Sequence, residues 1–212
     1  MPEQITKLKK KQWYPIVAPI QFDNAVLGET LVYEPQAMLG KTLSHSLMNL
    51  KNDVKKQNVN IQFKVIGVEG DKAITSIIGY KITSSSVKRF VRRDSEKIDI
   101  SFTCETSDNL FLRVKPLIVT KSAVKGSVAA KLRNSTVLFL SKTIKKMTYD
   151  EIINDLISHK LQEMMRGNLN KTYPLKVCEI RFLGIETRRK PEEIKQVKEK
   201  HPEVKVEINE EK

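Results

Sequence analysis

Apolar and polar residues alternate with a period of two along much of the first 120 residues, as in strands that bury one face. Residues 59–65 and 73–80 alternate on either side of the turn sequence at 68–71, which predicts a β-hairpin. Residues 98–104 and 110–119 repeat this arrangement. The pattern therefore predicts two hairpins within the first 120 residues.

The ends of the chain carry further strand signals. Short apolar runs follow Pro15, and because proline cannot donate to a ladder, Pro15 and Pro19 favour an edge strand or loop there. His45 alternates with polar neighbours and is interpreted as a strand residue. Residues 175–183 are apolar at both parities, which predicts a last strand with both faces partly covered.

A short basic helix is predicted over residues 83–93. Its serines can cap the helix start, and Val87, Phe90 and Val91 share one face because they are spaced i, i+3 and i+4. Four cations are then directed outward: Lys88, Arg89, Arg92 and Arg93. A solvated helix face is the alternative interpretation of such a run.

Two consecutive helices are predicted before the last strand. The first spans the apolar repeat of residues 124–144, and no Asp or Glu occurs from Lys121 to Met147. Because solvated helix faces usually mix charge signs to gain ion pairs, this stretch favours a basic binding face. The second helix begins at the capping box Thr148–Glu151 and ends near Gly167, with His159 exposed and the Met164–Met165 pair filling the core.

The net charge of +13 and the pI of about 9.6 favour nucleic acid or an anionic membrane surface as the partner. The membrane is the weaker choice, because no apolar run approaches the roughly 18 residues needed to span a bilayer. Cys104 and Cys178 are expected to be buried free thiols in a reducing compartment. The three histidines lack metal-ligand spacing, so we expect neither a metal nor a cofactor.

Basic residues also crowd both ends of the predicted fold. Trp13 follows the N-terminal lysines of residues 7–11, and its ring either stacks on bases or anchors this arm to the core. We favour the anchor, because Trp13 is the only Trp in the chain and begins its ordered part. The complete set of candidate RNA-binding residues is Lys7, Lys9, Lys10, Lys11, Trp13, Lys88, Arg89, Arg92, Arg93, Lys121, Lys125, Lys131, Arg133, Arg188 and Arg189.

Catalytic motifs are not found, whether for dinucleotides, phosphate loops, zinc hydrolases or serine hydrolases. We therefore predict a protein that is not an enzyme. An RNA-modifying or RNA-processing enzyme remains the alternative, with Glu29, Glu179 and His45 as its candidate groups. A free RNA-binding module acting in translation is a third hypothesis.

The order of these segments resembles the S-three-Ae family, the eukaryotic-type first protein of the small ribosomal subunit. The matching blocks run in register from about Trp13 to about Arg189. They are Trp13-Tyr14, Ala18-Pro19, Phe22, Gly28-Glu29-Thr30, Leu39-Gly40-Lys41, Ser46 to Leu50, Val91-Arg92-Arg93, Leu112 to Lys115, Arg133, Tyr173-Pro174-Leu175 and Glu179-Ile180-Arg181. The short basic arm and the length resemble archaeal members.

The resemblance implies an α+β fold, with an antiparallel β-barrel-like core and flanking helices. It also implies a cytoplasmic ribosomal protein on the small-subunit platform near the mRNA exit. Its expected partners are the 3′ region of the small-subunit ribosomal RNA, neighbouring ribosomal proteins and mRNA near the exit. We expect an N-terminal arm over residues 1–12, one RNA-binding domain over 13–190 and a charged tail over 191–212.

Overall fold

The computed structural model describes residues 10–186. The strands are β1 Gln12–Val17, β2 Val26–Val32, β3 Thr42–Ser46, β4 Val59–Glu69, β5 Lys72–Ile82, β6 Lys97–Asp99, β7 Phe102–Glu105, β8 Phe111–Thr120 and β9 Leu175–Ile185. The helices are α1 Leu47–Lys51, α2 Ser84–Phe90, α3 Gly126–Ile144, α4 Tyr149–Ile157 and α5 Lys160–Asn170. Lys7, Lys9, Arg188, Arg189, His201 and the predicted tail lie outside the described residues.

All nine strands belong to one sheet, with the main order β2-β1-β5-β9-β8-β6. β4 adds to β5 and carries β3, and β7 adds to β8. The pairs are antiparallel except for a short parallel contact between β1 and β5. The predicted α+β class and both hairpins, β4–β5 and β7–β8, are confirmed. The sheet does not close on itself, so its core is barrel-like only in a loose sense.

β1 departs from the prediction, because it lies between β2 and β5 rather than at an edge. The contact with β5 involves only Ile16 and Val17, which follow Pro15. Pro15 itself pairs with Glu29 of β2 alone. The strand thus tolerates its proline because its second neighbour joins the ladder only after that position.

The predicted helix over 148–167 is two helices. His159 lies between α4 and α5 with φ of 63°, a left-handed conformation that ends a right-handed helix. The side-chain amide of Gln162 donates to the Leu156 carbonyl (3.1 Å), so the break leaves a buried acceptor satisfied. The capping box of Thr148 and Glu151 is confirmed, whereas Gly167 lies inside α5.

Two of the helices, α3 and α5, pack directly on strands of the sheet's second half. α5 packs on β9, and α3 packs on α5 and β7. Leu117, Ile118 and Val119 of β8 are consecutive and all fully buried, so both faces of this strand segment are covered. Met165 fills this core as predicted, but Met164 is exposed.

Cys104 and Cys178 are buried free thiols, as the sequence predicts. Burial raises the pKa of Cys104 to about 11 and that of Cys178 to about 12, so both remain protonated and inert at neutral pH. Among the described helices, none has the length and apolar character needed to cross a membrane.

Candidate nucleic-acid interface

α2 presents cations from a helix that is attached to the core on its other side. Val87 is buried, while Lys88 and Arg89 are exposed. Thr83 rather than a serine is the N-cap, and its hydroxyl contacts the Ser86 hydroxyl instead of a backbone N–H. Ser86 is buried and donates to Asn58 Oδ1 (2.7 Å), which fixes the helix start against the beginning of β4.

Arg92 and Arg93 lie beyond the helix, since α2 ends at Phe90. They begin a turn in which the Ser95 hydroxyl donates to the Arg92 carbonyl (2.7 Å) and accepts from the Arg92 N–H (3.3 Å). Asp94 in this turn has φ of 63°. The prediction of one helix through Arg93 is therefore wrong, although both arginine side chains are exposed as expected.

The sheet connects this turn to the start of α3. The Thr120 N–H donates to the Glu96 carbonyl, and the Glu96 N–H donates to the Thr120 hydroxyl, both at 3.0 Å. Lys121 follows directly, and its N–H donates to the Pro174 carbonyl (3.2 Å). Four exposed cations therefore lie at one end of the sheet, and we call them the sheet-end cluster: Arg92, Arg93, Lys121 and Lys125.

α3 is basic on its solvent side. Its buried residues include Leu132, Leu140 and Ile144. Lys131 and Lys142 are eleven residues apart, about three helical turns, so they share the outer face. Arg133 is exposed but lies about 200° around the helix from Lys131. The candidate residues Lys131 and Arg133 therefore lie on different faces of α3, and Lys142, which is not in the candidate set, shares the face of Lys131.

Trp13 does not anchor the chain to the core. Its side chain is 65% exposed, whereas Tyr14 is 6% exposed and fills the core instead. Because successive strand residues face opposite sides, Tyr14 and Ile16 point inward and Trp13 points outward. Lys10 and Lys11 are exposed beside it, and Lys11 Nζ lies 5.1 Å from the centroid of the Tyr33 ring.

Two basic side chains of β8 make contacts within the protein itself. Arg113 Nε donates to Glu186 Oε2 (3.1 Å), and the two side chains form a bidentate ion pair. Lys115 Nζ lies 5.1 Å from the centroid of the Phe182 ring. These contacts distinguish Arg113 and Lys115 from the outward cations of α2, the sheet-end cluster and α3.

The candidate catalytic groups do not converge. Glu29 lies on β2 and His45 on β3, where His45 Nδ1 is 3.4 Å from the Ser46 carbonyl oxygen. Glu179 on β9 instead faces His159, whose Nδ1 is 3.9 Å from Glu179 Oε2. Within residues 10–186, no group of three or more His, Cys, Asp or Glu side chains could hold a metal ion.

Burial perturbs the Glu179–His159 pair, which sequence spacing did not reveal because the two residues meet only in the folded chain. Burial raises the pKa of Glu179 to about 7, partly opposed by Arg166. The pKa of His159 is lowered by burial and by Lys56, against an opposite effect of Glu163. His159 is thus half-buried rather than exposed, and it contacts an acid.

Comparison with known proteins gives one consistent result. The chain is 31% identical to the small ribosomal subunit protein eS1 of Haloarcula marismortui over 188 residues, covering 89% of this chain and 87% of the relative. It is 33% identical to the eS1 protein of Sulfurisphaera tokodaii over 174 residues, covering 82% and 90%. The model of the Ribosomal S3Ae family matches residues 3–188. This match confirms the resemblance drawn from the sequence: the chain belongs to the Ribosomal S3Ae family, and so to the ribosomal proteins.

Proposed function

We propose that this protein is a structural constituent of the small ribosomal subunit that binds ribosomal RNA mainly through phosphates. Its place is the platform near the mRNA exit, against the 3′ region of the ribosomal RNA, neighbouring ribosomal proteins and mRNA. Residues 13–190 act as one RNA-binding domain, extended by the arm of residues 1–12 and the tail of 191–212. The protein acts in translation as a scaffold and not as an enzyme.

The acid-free basic segment is the observation that supports this proposal most strongly. Seven cations and no carboxylate occur from Lys121 to Met147. The segment begins in the sheet-end cluster and continues along the outer face of α3. Lysine and arginine bind phosphates without reading the base sequence, so such a surface suits structured RNA.

One structural feature favours phosphate binding over a merely solvated surface. The hydrogen bonds between Glu96 and Thr120 hold the Arg92 turn and Lys121 at the same sheet end. This places cations from two separate segments of the chain, 92–93 and 121–125, side by side. If the protein neutralises about six phosphates, raising the salt concentration from 50 to 200 mM should lower its RNA affinity about 10³-fold, because counterions are released from the RNA on association.

The direct test is sedimentation of a cell extract through a sucrose gradient at low and at high salt. We expect the chain to remain with the small subunit at both salt concentrations. A chain that sediments as free protein at high salt contradicts residency in the ribosome and favours a free RNA-binding module instead.

The role of the sheet-end cluster is tested by the double variant Arg92→Ala/Arg93→Ala. RNA affinity should fall and the salt slope should decrease by about 1–2, since each lost phosphate contact removes about 0.7–0.9 from it. Folding should persist, because the turn is built from the Arg92 backbone and the Ser95 hydroxyl. Thermal unfolding and filter binding of a ribosomal RNA fragment give the two readouts.

A matched control replaces two exposed lysines of the β4–β5 hairpin, Lys64→Ala/Lys72→Ala, with the same loss of charge. Binding should weaken clearly less in this control than in the arginine variant. If both variants weaken binding equally, net charge rather than the sheet-end cluster carries the affinity. If the arginine variant loses melting temperature but not binding, its cations are structural.

A further inference from the structure

The outer face of the β1–β2 ribbon carries an exposed aromatic and apolar ladder. Trp13 pairs directly with Leu31 across the two strands. Trp13 is 65% exposed, Leu31 41% and Tyr33 56%. We call these three residues the outer ladder. Strand alternation places Trp13 and Leu31 on the face opposite the buried Tyr14, and the Tyr33 ring lies beside Lys11 next to them, so none of the three side chains belongs to the core.

The spacing of the outer ladder matches that of stacked bases. Diagonal neighbours on one face of an antiparallel pair are about 7–8 Å apart. Val32, the last residue of β2, pairs with Gln12, and Tyr33 follows it directly, so Tyr33 lies about one diagonal step from Trp13, with Leu31 beside both. Bases stack about 3.4 Å apart, so a base between two rings requires about 7 Å. β2 ends the main strand order, so the ladder lies at a sheet margin that an extended strand of RNA can reach.

The charges next to the ladder fit a nucleic acid better than a protein. Lys11 Nζ contacts the Tyr33 ring, and Lys10 is exposed one residue earlier. Lysine is depleted at the centres of protein interfaces, whereas lysines beside aromatic rings are the usual combination for single-stranded RNA. Glu29 shares this face but lies on the side of Leu31 away from Tyr33, so the phosphate path runs past Lys10 and Lys11.

We infer that Trp13 and Tyr33 form a stacking site for unpaired RNA bases, with Leu31 as its apolar side and Lys10 and Lys11 as its phosphate contacts. The inference rests on the proposed RNA-binding function and adds a second kind of RNA to it. The sheet-end cluster and α3 bind phosphates of structured RNA, whereas the outer ladder binds an adjacent single-stranded segment. Aromatic stacking tolerates any base because every base has a π face.

Trp13 reports on this site directly, because it is the only Trp in the chain. The full-length protein is titrated with a 12-nucleotide oligouridine and, separately, with a 12-base-pair RNA duplex, each carrying a fluorophore for anisotropy. We expect both RNAs to bind and only the single strand to quench Trp13 emission. Binding of the single strand without quenching, or equal quenching by the duplex, overturns the inference.

The variants Trp13→Leu and Tyr33→Leu keep an apolar side chain and remove the π system. Each should weaken oligouridine binding at least about fivefold, the lower end of one base stack, and leave duplex binding within twofold. Trp13→Phe should restore most of the affinity. The control Ile66→Val changes an exposed apolar side chain of β4, outside the ladder, and should leave the affinity unchanged. Leucine variants that bind oligouridine like the parent overturn the inference and leave the ladder as a surface for a protein partner.

The outcomes separate this inference from the proposed function. If the leucine variants have no effect but duplex binding keeps its steep salt dependence, only the stacking site fails. If neither RNA binds at 50 mM salt, phosphate binding fails as well, and the stacking site fails with it.

Discussion

Glu179 is the residue whose environment departs furthest from the rest of the charged surface. It is largely buried on β9, and within residues 10–186 its Oε2 atom accepts no hydrogen bond. Burial raises its pKa from the ordinary 4.5 to about 7, with Arg166 opposing the shift. The folded chain therefore holds a proton on Glu179 at a pH at which the unfolded chain has released it.

Glu179→Gln should remove a pH-dependent destabilisation. Because the folded pKa is raised, the contribution of Glu179 to stability is full below pH 4.5 and is lost as the pH rises through about 7. The free energy of unfolding of the variant should thus increase relative to the parent between pH 5 and pH 8, by on the order of 3 kcal/mol. Urea unfolding at four pH values measures this difference.

His159 titrates in the opposite direction. Its pKa is lowered from 6.5 by burial and Lys56, while Glu163 opposes this, so its contribution is present above pH 6.5 and is lost as the pH falls. The difference in the free energy of unfolding between Glu179→Gln and the parent cancels most of the effect of His159, because both proteins contain His159. The exposed Glu29→Gln removes one carboxylate elsewhere on the sheet and serves as the control. A stability difference of Glu179→Gln that changes with pH no more than that of the control would show that burial does not perturb the Glu179 carboxyl.

For single residues, the sequence predicts which positions alternate along a strand but not always which of the two alternating sets faces the core. Trp13 and Tyr14 are adjacent, so one must be buried and the other exposed. Trp13 was the predicted anchor as the only Trp of the chain, yet Tyr14 fills the core beside Ile16. The decisive contacts come from strands far along the chain, and no local pattern contains them. Because the sequence does not predict it, the exposure of the only Trp tells more about a binding role than its burial would have done.

The elements show the same division between local and distant causes. Both hairpins and the capping box of α4 follow from neighbouring residues and were predictable. The break between α4 and α5 was not, because the apolar stripe continues from Leu156 to Leu161 and no Gly or Pro interrupts it. The Gln162 side chain bonds the Leu156 carbonyl across that break, and a tertiary contact of His159 with Glu179 on β9 accompanies it.

Comparing His159→Gly with His159→Ala tests whether this break is fixed by the fold. Both variants lose the imidazole and its contact with Glu179, and they differ only by a Cβ atom. At φ of 63° an L-residue with a Cβ is disfavoured by about 1–2 kcal/mol relative to glycine. The glycine variant should therefore be more stable than the alanine variant by about 1 kcal/mol in urea unfolding. An alanine variant that is equally stable and gains helical circular dichroism would mean that α4 and α5 can join into one helix.

For the whole molecule, the strand order could not be derived from the sequence. The last strand, β9, inserts between β5 and β8 and so joins the two predicted hairpins into one sheet. Its apolar residues at both parities indicated burial on both faces but not its neighbours. The excess of cations was fully visible, and so was the absence of acids beside α3. What the fold adds is their arrangement, since Arg92 and Lys121 are 29 residues apart in sequence yet lie at the same sheet end.

This concentration of like charge has a consequence for stability. With a net charge of +13, the folded protein repels itself, and salt screens that repulsion over a Debye length of about 10 Å at 0.1 M. Raising NaCl from 0.05 to 0.5 M should therefore raise the melting temperature by about 2–4 °C, equivalent to about 1 kcal/mol.

The variant Lys131→Gln/Lys142→Gln/Lys145→Gln removes three of the seven cations of the acid-free segment. It should therefore have a higher melting temperature than the parent at low salt, and that temperature should rise less with NaCl. The same variant should bind RNA more weakly, because the charges that destabilise the free protein are those that bind phosphate. A melting temperature that falls with salt would contradict this picture and would mean that ion pairs such as Arg113–Glu186 outweigh the repulsion.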